Sequence, residues 1–155
     1  NYVIHLVREM LGDIREPTLT VFGVSYKNDI GDTRKTPALK FIQLAENEGY
    51  KVKCYDPHVS TFDYPVFNLD DAVRDSDCIV LITNHDLFKH IDPATLSMRH
   101  RNLVDTRNHL DKKTWSEAGF AIKTLGDGLA RSEVSRGVAA EQPPLPGSKA
   151  TTKGV

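Results

Sequence analysis

Short runs of apolar, β-branched residues alternate along this chain with stretches whose apolar residues recur at helical spacing. That alternation narrows the possible folds more than any other feature. "TLTVFGV" (18–24), "YKVKCYDP" (50–57) and "DCIVLIT" (77–83) read as strands, and runs such as the first and third suit burial on both faces, as central strands of a parallel sheet are buried. "RNLVDT" (101–106) and "FAIKTL" (120–125) are further strand candidates, and "YPVFN" (64–68) is a brief one. In "TPALKFIQLAENEG", Ala38, Phe41, Ile42 and Ala45 form one apolar stripe. Thr36 suits the cap of that helix, Pro37 its first turn and Gly49 its end. "LDDAVRDS", "DPATLSM" and "KKTWSEA" read as short helical connections. Strands joined by helices wind into a parallel sheet through right-handed crossovers. The expected fold is α/β: a Rossmann-like doubly wound parallel sheet of about six strands in three layers, in the order 3-2-1-4-5-6, with its switch point between the first and fourth strands.

The chain begins at Asn1, without methionine, directly in "NYVIHLVREMLGD". There Val3, Leu6, Val7, Met10 and Leu11 keep helical spacing and Gly12 suits the helix end. This reads as a segment of something longer, with residues 1–14 the end of a linking helix whose apolar face wants a partner. Residues 15–130 would form the domain. From residue 131 the composition changes to "RSEVSRGVAAEQPPLPGSKATTKGV", without an aromatic residue. Too little apolar area is present there to offset ordering entropy, so 131–155 reads as a flexible tail.

A formal net charge of −1 over 155 residues gives no general attraction to nucleic acid or to an anionic membrane, so any anion binding must be local. No apolar run approaches the roughly 18 to 20 residues that span a bilayer, and no secretory signal opens the chain. A soluble cytoplasmic protein is expected. Cys54 and Cys78 sit in strand runs and read as small buried hydrophobes. His85 and His90 match no zinc spacing, and no metal is expected. No nucleophile elbow, phosphate-binding P-loop or carboxylate cluster is present.

In a doubly wound sheet, ligands bind beyond the carboxyl ends of the strands at the switch point. The loops that would border that crevice are "GVSYKND", "TNHDLF" and "DTRNHL". The glycine fingerprint of a dinucleotide site is missing, since Gly23 is followed by Val24, Ser25, Tyr26 and Lys27, and the next glycine is Gly31. Lys27 lies just past the first strand, where an ammonium can meet a phosphate or sugar hydroxyl, or remain a solvated loop lysine. Arg34 stands near the start of the second helix, where anions are favoured; a pair with Asp29 or Asp32 competes. Arg107 can grip a nucleotide with fixed geometry, or pair with Asp105 or Asp111. Asp56 ends the second strand where a ribose-binding acid would stand, but without the glycine turn it reads better as turn chemistry in "YDPH".

"GVSYKNDIGDTRKTPAL", followed by "YDPHV", "DSDCIVLITNHDLF" and "LVDTRN", resembles the carboxyl-terminal, UDP-binding domain of the UDP-glucose/GDP-mannose dehydrogenase family. The likeness runs from about residue 18 to residue 127, and the opening helix resembles the end of the family's central helical segment. It implies oxidation of a nucleotide-sugar alcohol to the uronate with NAD, which an amino-terminal domain holds while this domain closes over the nucleotide. It assigns Tyr26 and Lys27 to the nucleotide-sugar, Arg107 to the nucleotide and Arg34 to the NAD of the other domain. The apolar face of the opening helix, in "YVIHLVREML", predicts a homodimer of the complete chain through its central helix. The family's nucleophilic cysteine motif has no match here, so no catalytic residue is expected in this segment. "LITNHDLFK" is most similar to the branch acting on UDP-N-acetylhexosamines, N-acetylmannosamine in particular. A stand-alone nucleotide-binding regulatory module is the alternative.

Overall fold

The computed structural model describes residues 2–33 and 36–125. Residues Val3–Lys123 group as one unit, apart from Tyr2 and Thr124. The proposed tail, 131–155, and Arg34 lie outside the described residues.

Helix α1 (Tyr2–Leu11) leads to β1 (Thr18–Phe22), α2 (Pro37–Asn47), β2 (Lys51–Tyr55), α3 (Leu69–Val73), β3 (Cys78–Leu81), β4 (Asn102–Asp105), α4 (Lys112–Glu117) and β5 (Ala121–Thr124). Two 3-10 turns, Asp86–His90 and Pro93–Thr95, connect β3 to β4. The helix signals act as their chemistry predicts. Thr36 Oγ1 accepts the amide of Ala38, Pro37 opens α2, and Gly49 follows it at φ +92°. Asn68 and Asp111 accept backbone amides at the starts of α3 and α4. Gly12, just past α1, has φ +50°.

The sheet is five-stranded in the order β2-β1-β3-β4-β5, with β1 parallel to both β2 and β3, and β3 parallel to β4. The Rossmann-like class is as expected, and the strand count is not. "YPVFN" contributes only an isolated bridge between Val66 and Cys54, on the far side of β2 where a sixth strand would stand. Pro65 has no N–H to give to a ladder, and the one backbone bond is Phe67 N–H to Cys54 O. The crossing point therefore falls between β1 and β3.

Register places Thr20 beside Ile79 and Phe22 beside Leu81, so these four share a face. That face carries a core of Phe22, Val73, Ile79, Leu81, Phe88 and Leu103, closed near α4 by Trp115 and Phe120. Thr20 reaches the α3 side, where its hydroxyl donates to Ala72 O. Leu19, Val21 and Val80 alternate to the other face and are fully buried as well. Burial of each such side chain is worth about 1.5 to 3 kcal/mol of transfer free energy.

The apolar stripe of α1 differs from its expected role. Ile4, Leu6, Val7 and Leu11 are buried within this chain. Two ion pairs hold the helix from its polar side, Arg8 to Glu48 beyond α2 and Glu9 to Lys123 on β5. This chain thus covers most of the stripe itself, and Val3 and Met10 are half-buried.

Candidate functional site

The carboxyl edge of β1, β3 and β4 carries three adjacent loops. The first begins at Gly23, whose φ is +89° and whose missing Cβ would lie 2.5 Å from Thr83 O. A glycine is needed here because the ends of β1 and β3 approach backbone to backbone, not because a pyrophosphate must come close. Gly31 meets the same demand further along, with His58 O pressed against where its Cβ would stand.

In a dinucleotide turn, the amides after the first strand face an anion. Here Asp56 supplies it. Its Oδ2 accepts the amides of Val24 at 2.8 Å and Ser25 at 3.2 Å, and its Oδ1 accepts the amide of His58 at 2.9 Å. Burial pushes the Asp56 carboxyl up, but these bonds and one from His85 outweigh it and hold the group below the usual carboxylate range. With its donors already spent on an internal carboxylate, the β1 turn does not fit an NAD pyrophosphate.

His85, fully buried in the β3 loop, completes this arrangement. Its Nδ1 accepts the amide of Asp29 at 2.7 Å, so the ring proton sits on Nε2, 2.8 Å from Asp56 Oδ2. Ser25 Oγ lies 3.0 Å from the same Nε2 and donates to Lys27 O. Ser25, His85 and Asp56 thus meet without forming a hydrolytic triad. A triad places acid and hydroxyl on opposite ring nitrogens, with the hydroxyl open to substrate; here both share Nε2, an amide occupies Nδ1, and all three residues are buried.

Asp29, His58 and His85 bring ligand-type atoms within 4.8 Å of one another. They are a poor metal set, because both ring nitrogens of His85 are engaged and one Asp29 oxygen accepts the amide of Asp86. That amide holds the Asp29 carboxyl below its ordinary range. Cys54 and Cys78 are buried in their strands, and burial pushes the Cys54 thiol up to about 12 and the Cys78 thiol up as well. Neither is a poised nucleophile.

The expected ligand residues stand on this frame. Tyr26, 52% exposed, and Lys27 project from the first loop. Arg107 is exposed on the third. Both proposed competitors for Arg107 are otherwise occupied. Asp105 is buried and accepts the amides of Arg107, His109 and Leu110, while Asp111 caps α4 through Thr114. Neither the Lys27 ammonium nor the Arg107 guanidinium has a side-chain partner among the described residues. His85 is the residue that sequence reasoning missed. Weighed only as a zinc ligand, it lies in "TNHDLF", one of the crevice loops, and that placement was the available signal.

A Rossmann-like module with exposed cations on the crevice loops either side of the β3 loop, and with its dinucleotide turn filled by its own carboxylate, is a class distinct from the NAD-cradling one. Residues 20–112 match the UDP-binding domain of the UDP-glucose/GDP-mannose dehydrogenase family, and the chain belongs to that family. It is 39% identical over 120 residues to the UDP-N-acetyl-D-mannosamine dehydrogenase of Methanococcus maripaludis, covering 74% of this chain and 28% of that one. The enzyme of the same name from Methanococcus vannielii is 37% identical over 134 residues, covering 82% and 31%. Among solved structures, the UDP-D-ManNAc dehydrogenase of Pyrococcus horikoshii superposes with a TM-score of 0.69 at 32% identity, over 81% of this chain and 30% of that one. The chain therefore spans less than a third of the length of these relatives.

Proposed function

We propose that this chain supplies the substrate-nucleotide site of an NAD-dependent UDP-sugar dehydrogenase, whose substrate is UDP-N-acetylmannosamine and whose product is the uronate. The observation that carries the reading is the pair of exposed cations, Lys27 and Arg107, without side-chain partners among the described residues, on loops flanking the β3 loop in a domain of the UDP-binding family. Lys27 and the ring of Tyr26 face the nucleotide-sugar, and Arg107 grips the nucleotide through its fixed fork of donors. NAD belongs to an amino-terminal domain of the complete enzyme, in keeping with a β1 turn already filled by Asp56. Arg34 reaches toward that cofactor in this reading. The segment contributes no nucleophile.

The complete enzyme is cytoplasmic in this reading, and no described helix is long and apolar enough to cross a membrane. The complete enzyme forms a homodimer in this reading. Titration of the chain with UDP, followed by amide NMR, tests the site. Shifts are expected at residues 24–29, 85–88 and 105–110, and Lys27→Ala or Arg107→Ala abolishes them. Shifts confined to other surfaces would contradict the assignment.

A further inference from the structure

We infer that His85 is the positioning residue of this site, holding the loop of Tyr26 and Lys27 and the loop of Arg107 on one frame. The inference rests on the reading of those three residues as ligand contacts.

The geometry is specific to one side chain. Residues 26–28 form a short exposed span, and both of its ends are tied to the His85 ring. On one side Ser25 Oγ sits 3.0 Å from Nε2 and donates to Lys27 O, while on the other the amide of Asp29 donates to Nδ1 at 2.7 Å. Asp29 then returns the connection, because its Oδ1 accepts the amide of Asp86, next to His85. Asp29 has φ +62°, a conformation that aspartate tolerates better than most residues, so the span is bent as well as tethered. The ring is fixed by Asp56 at 2.8 Å, by the edge of Phe88 at 5.3 Å between centroids, and by His58 at 4.5 Å.

The backbone of His85 serves the third loop. Its carbonyl is 2.9 Å from Nε2 of His109, and the amide of His109 is anchored on Asp105, which also accepts the amide of Arg107. One buried residue thus bonds to the end of β2, to the Lys27 loop and to the Arg107 loop. Because neither cation has a side-chain partner among the described residues, the spacing of the two binding groups depends on that shared frame. Held groups lose less freedom on binding than mobile ones, so release of the frame costs affinity without removing a ligand contact.

The test uses a matched pair of substitutions in the 155-residue chain. His85→Asn keeps an acceptor near the Nδ1 position, and His85→Gln keeps a donor near Nε2. Both are expected to fold and to bind UDP roughly ten-fold more weakly, from loss of one buried hydrogen bond. His85→Asn should preserve hydrogen-exchange protection of the Asp29 amide, and His85→Gln should lose it, a difference that a general packing role would not produce. Long-range imidazole ¹⁵N spectra of the wild-type chain should show the proton of His85 on Nε2; a proton on Nδ1 would overturn the inference. Should both ring variants fail to fold, His109→Phe cuts only the link to the Arg107 loop at a half-buried position, and the same weakening is expected. Wild-type affinity in the folded variants, with Lys27→Ala still impaired, overturns the positioning role alone. Wild-type affinity in Lys27→Ala and Arg107→Ala overturns the reading of the ligand residues, and this inference with it.

Discussion

Gly23 and Asp77 show how single positions decide the two ends of the sheet. At Gly23 an added methyl meets Thr83 O at 2.5 Å and Thr83 Cβ at 2.7 Å, on a backbone with φ +89°. Gly23→Ala is expected to lower stability by roughly 2 to 4 kcal/mol, which urea unfolding would read as an earlier midpoint. At the opposite end, buried Asp77 accepts the amide of Thr18, a bidentate pair of bonds from Arg99 and one from His100. Burial pushes this carboxyl up, but Arg99, His100 and the Thr18 amide overcome it and bring it to about 2. A carboxyl depressed in the folded state stabilises above its unfolded value, near 4, and that contribution disappears as pH falls toward 2. The loss should be about 1 to 2 kcal/mol, less than the whole shift implies because Arg99 and His100 are half exposed and screened. Urea midpoints measured from pH 5 down to pH 2 check this. The drop should be smaller in Asp77→Asn.

The short elements of the second half depend on side chains that no local pattern announces. Arg101 donates to the carbonyls of Pro93, Ala94, Leu96 and Ala118 and lies over the ring of Phe120. One planar guanidinium thereby gathers the 3-10 turn before β4 and the end of α4. A lysine retains the charge but not the fork, so Arg101→Lys should lose roughly 1 to 3 kcal/mol. Thermal unfolding would show the decrease, and an unchanged melting temperature would argue against this role. Helix α2, by contrast, was legible in sequence down to its cap, because Thr36, Pro37 and Gly49 act on their own backbone neighbours. The strand expected at 64–68 does not form, for the complementary reason. A strand is completed by another strand's hydrogen bonds, and "YPVFN" found only one such partner at Cys54.

For the molecule as a whole, the proposed site makes stability depend on ligand. UDP at about 100 times its dissociation constant should raise the unfolding free energy by about 2.7 kcal/mol. At the same concentration Lys27→Ala and Arg107→Ala should show almost no gain, measured as melting temperature with and without UDP. Equal protection of all three proteins would place the nucleotide elsewhere. The crossing of the chain between β1 and β3 puts the crevice loops side by side, so residues far apart in sequence share one edge. The proposed binding surface rests on that topology, since no loop carries a dinucleotide motif.

Patterning along the chain was sufficient for the α/β class, the positions of most strands and helices, and which loops lie at the carboxyl edge of the sheet. Alternation, capping and turn chemistry are short-range, so they are written into neighbouring residues. Spaced motifs also sufficed for the family. Only tertiary structure decided which polar groups are spent and which are free. The sequence suits Asp56 to turn chemistry, yet its carboxylate also fills the β1 turn; Asp105 and Asp111 are near enough in sequence to pair with Arg107, yet each serves backbone amides instead. His85 acquired its place from Ser25, 60 residues away, and from Asp29, 56 away. Hydrogen-bond partners of this kind are chosen by proximity in the folded chain, and that proximity exists only after the sheet has brought its carboxyl ends together.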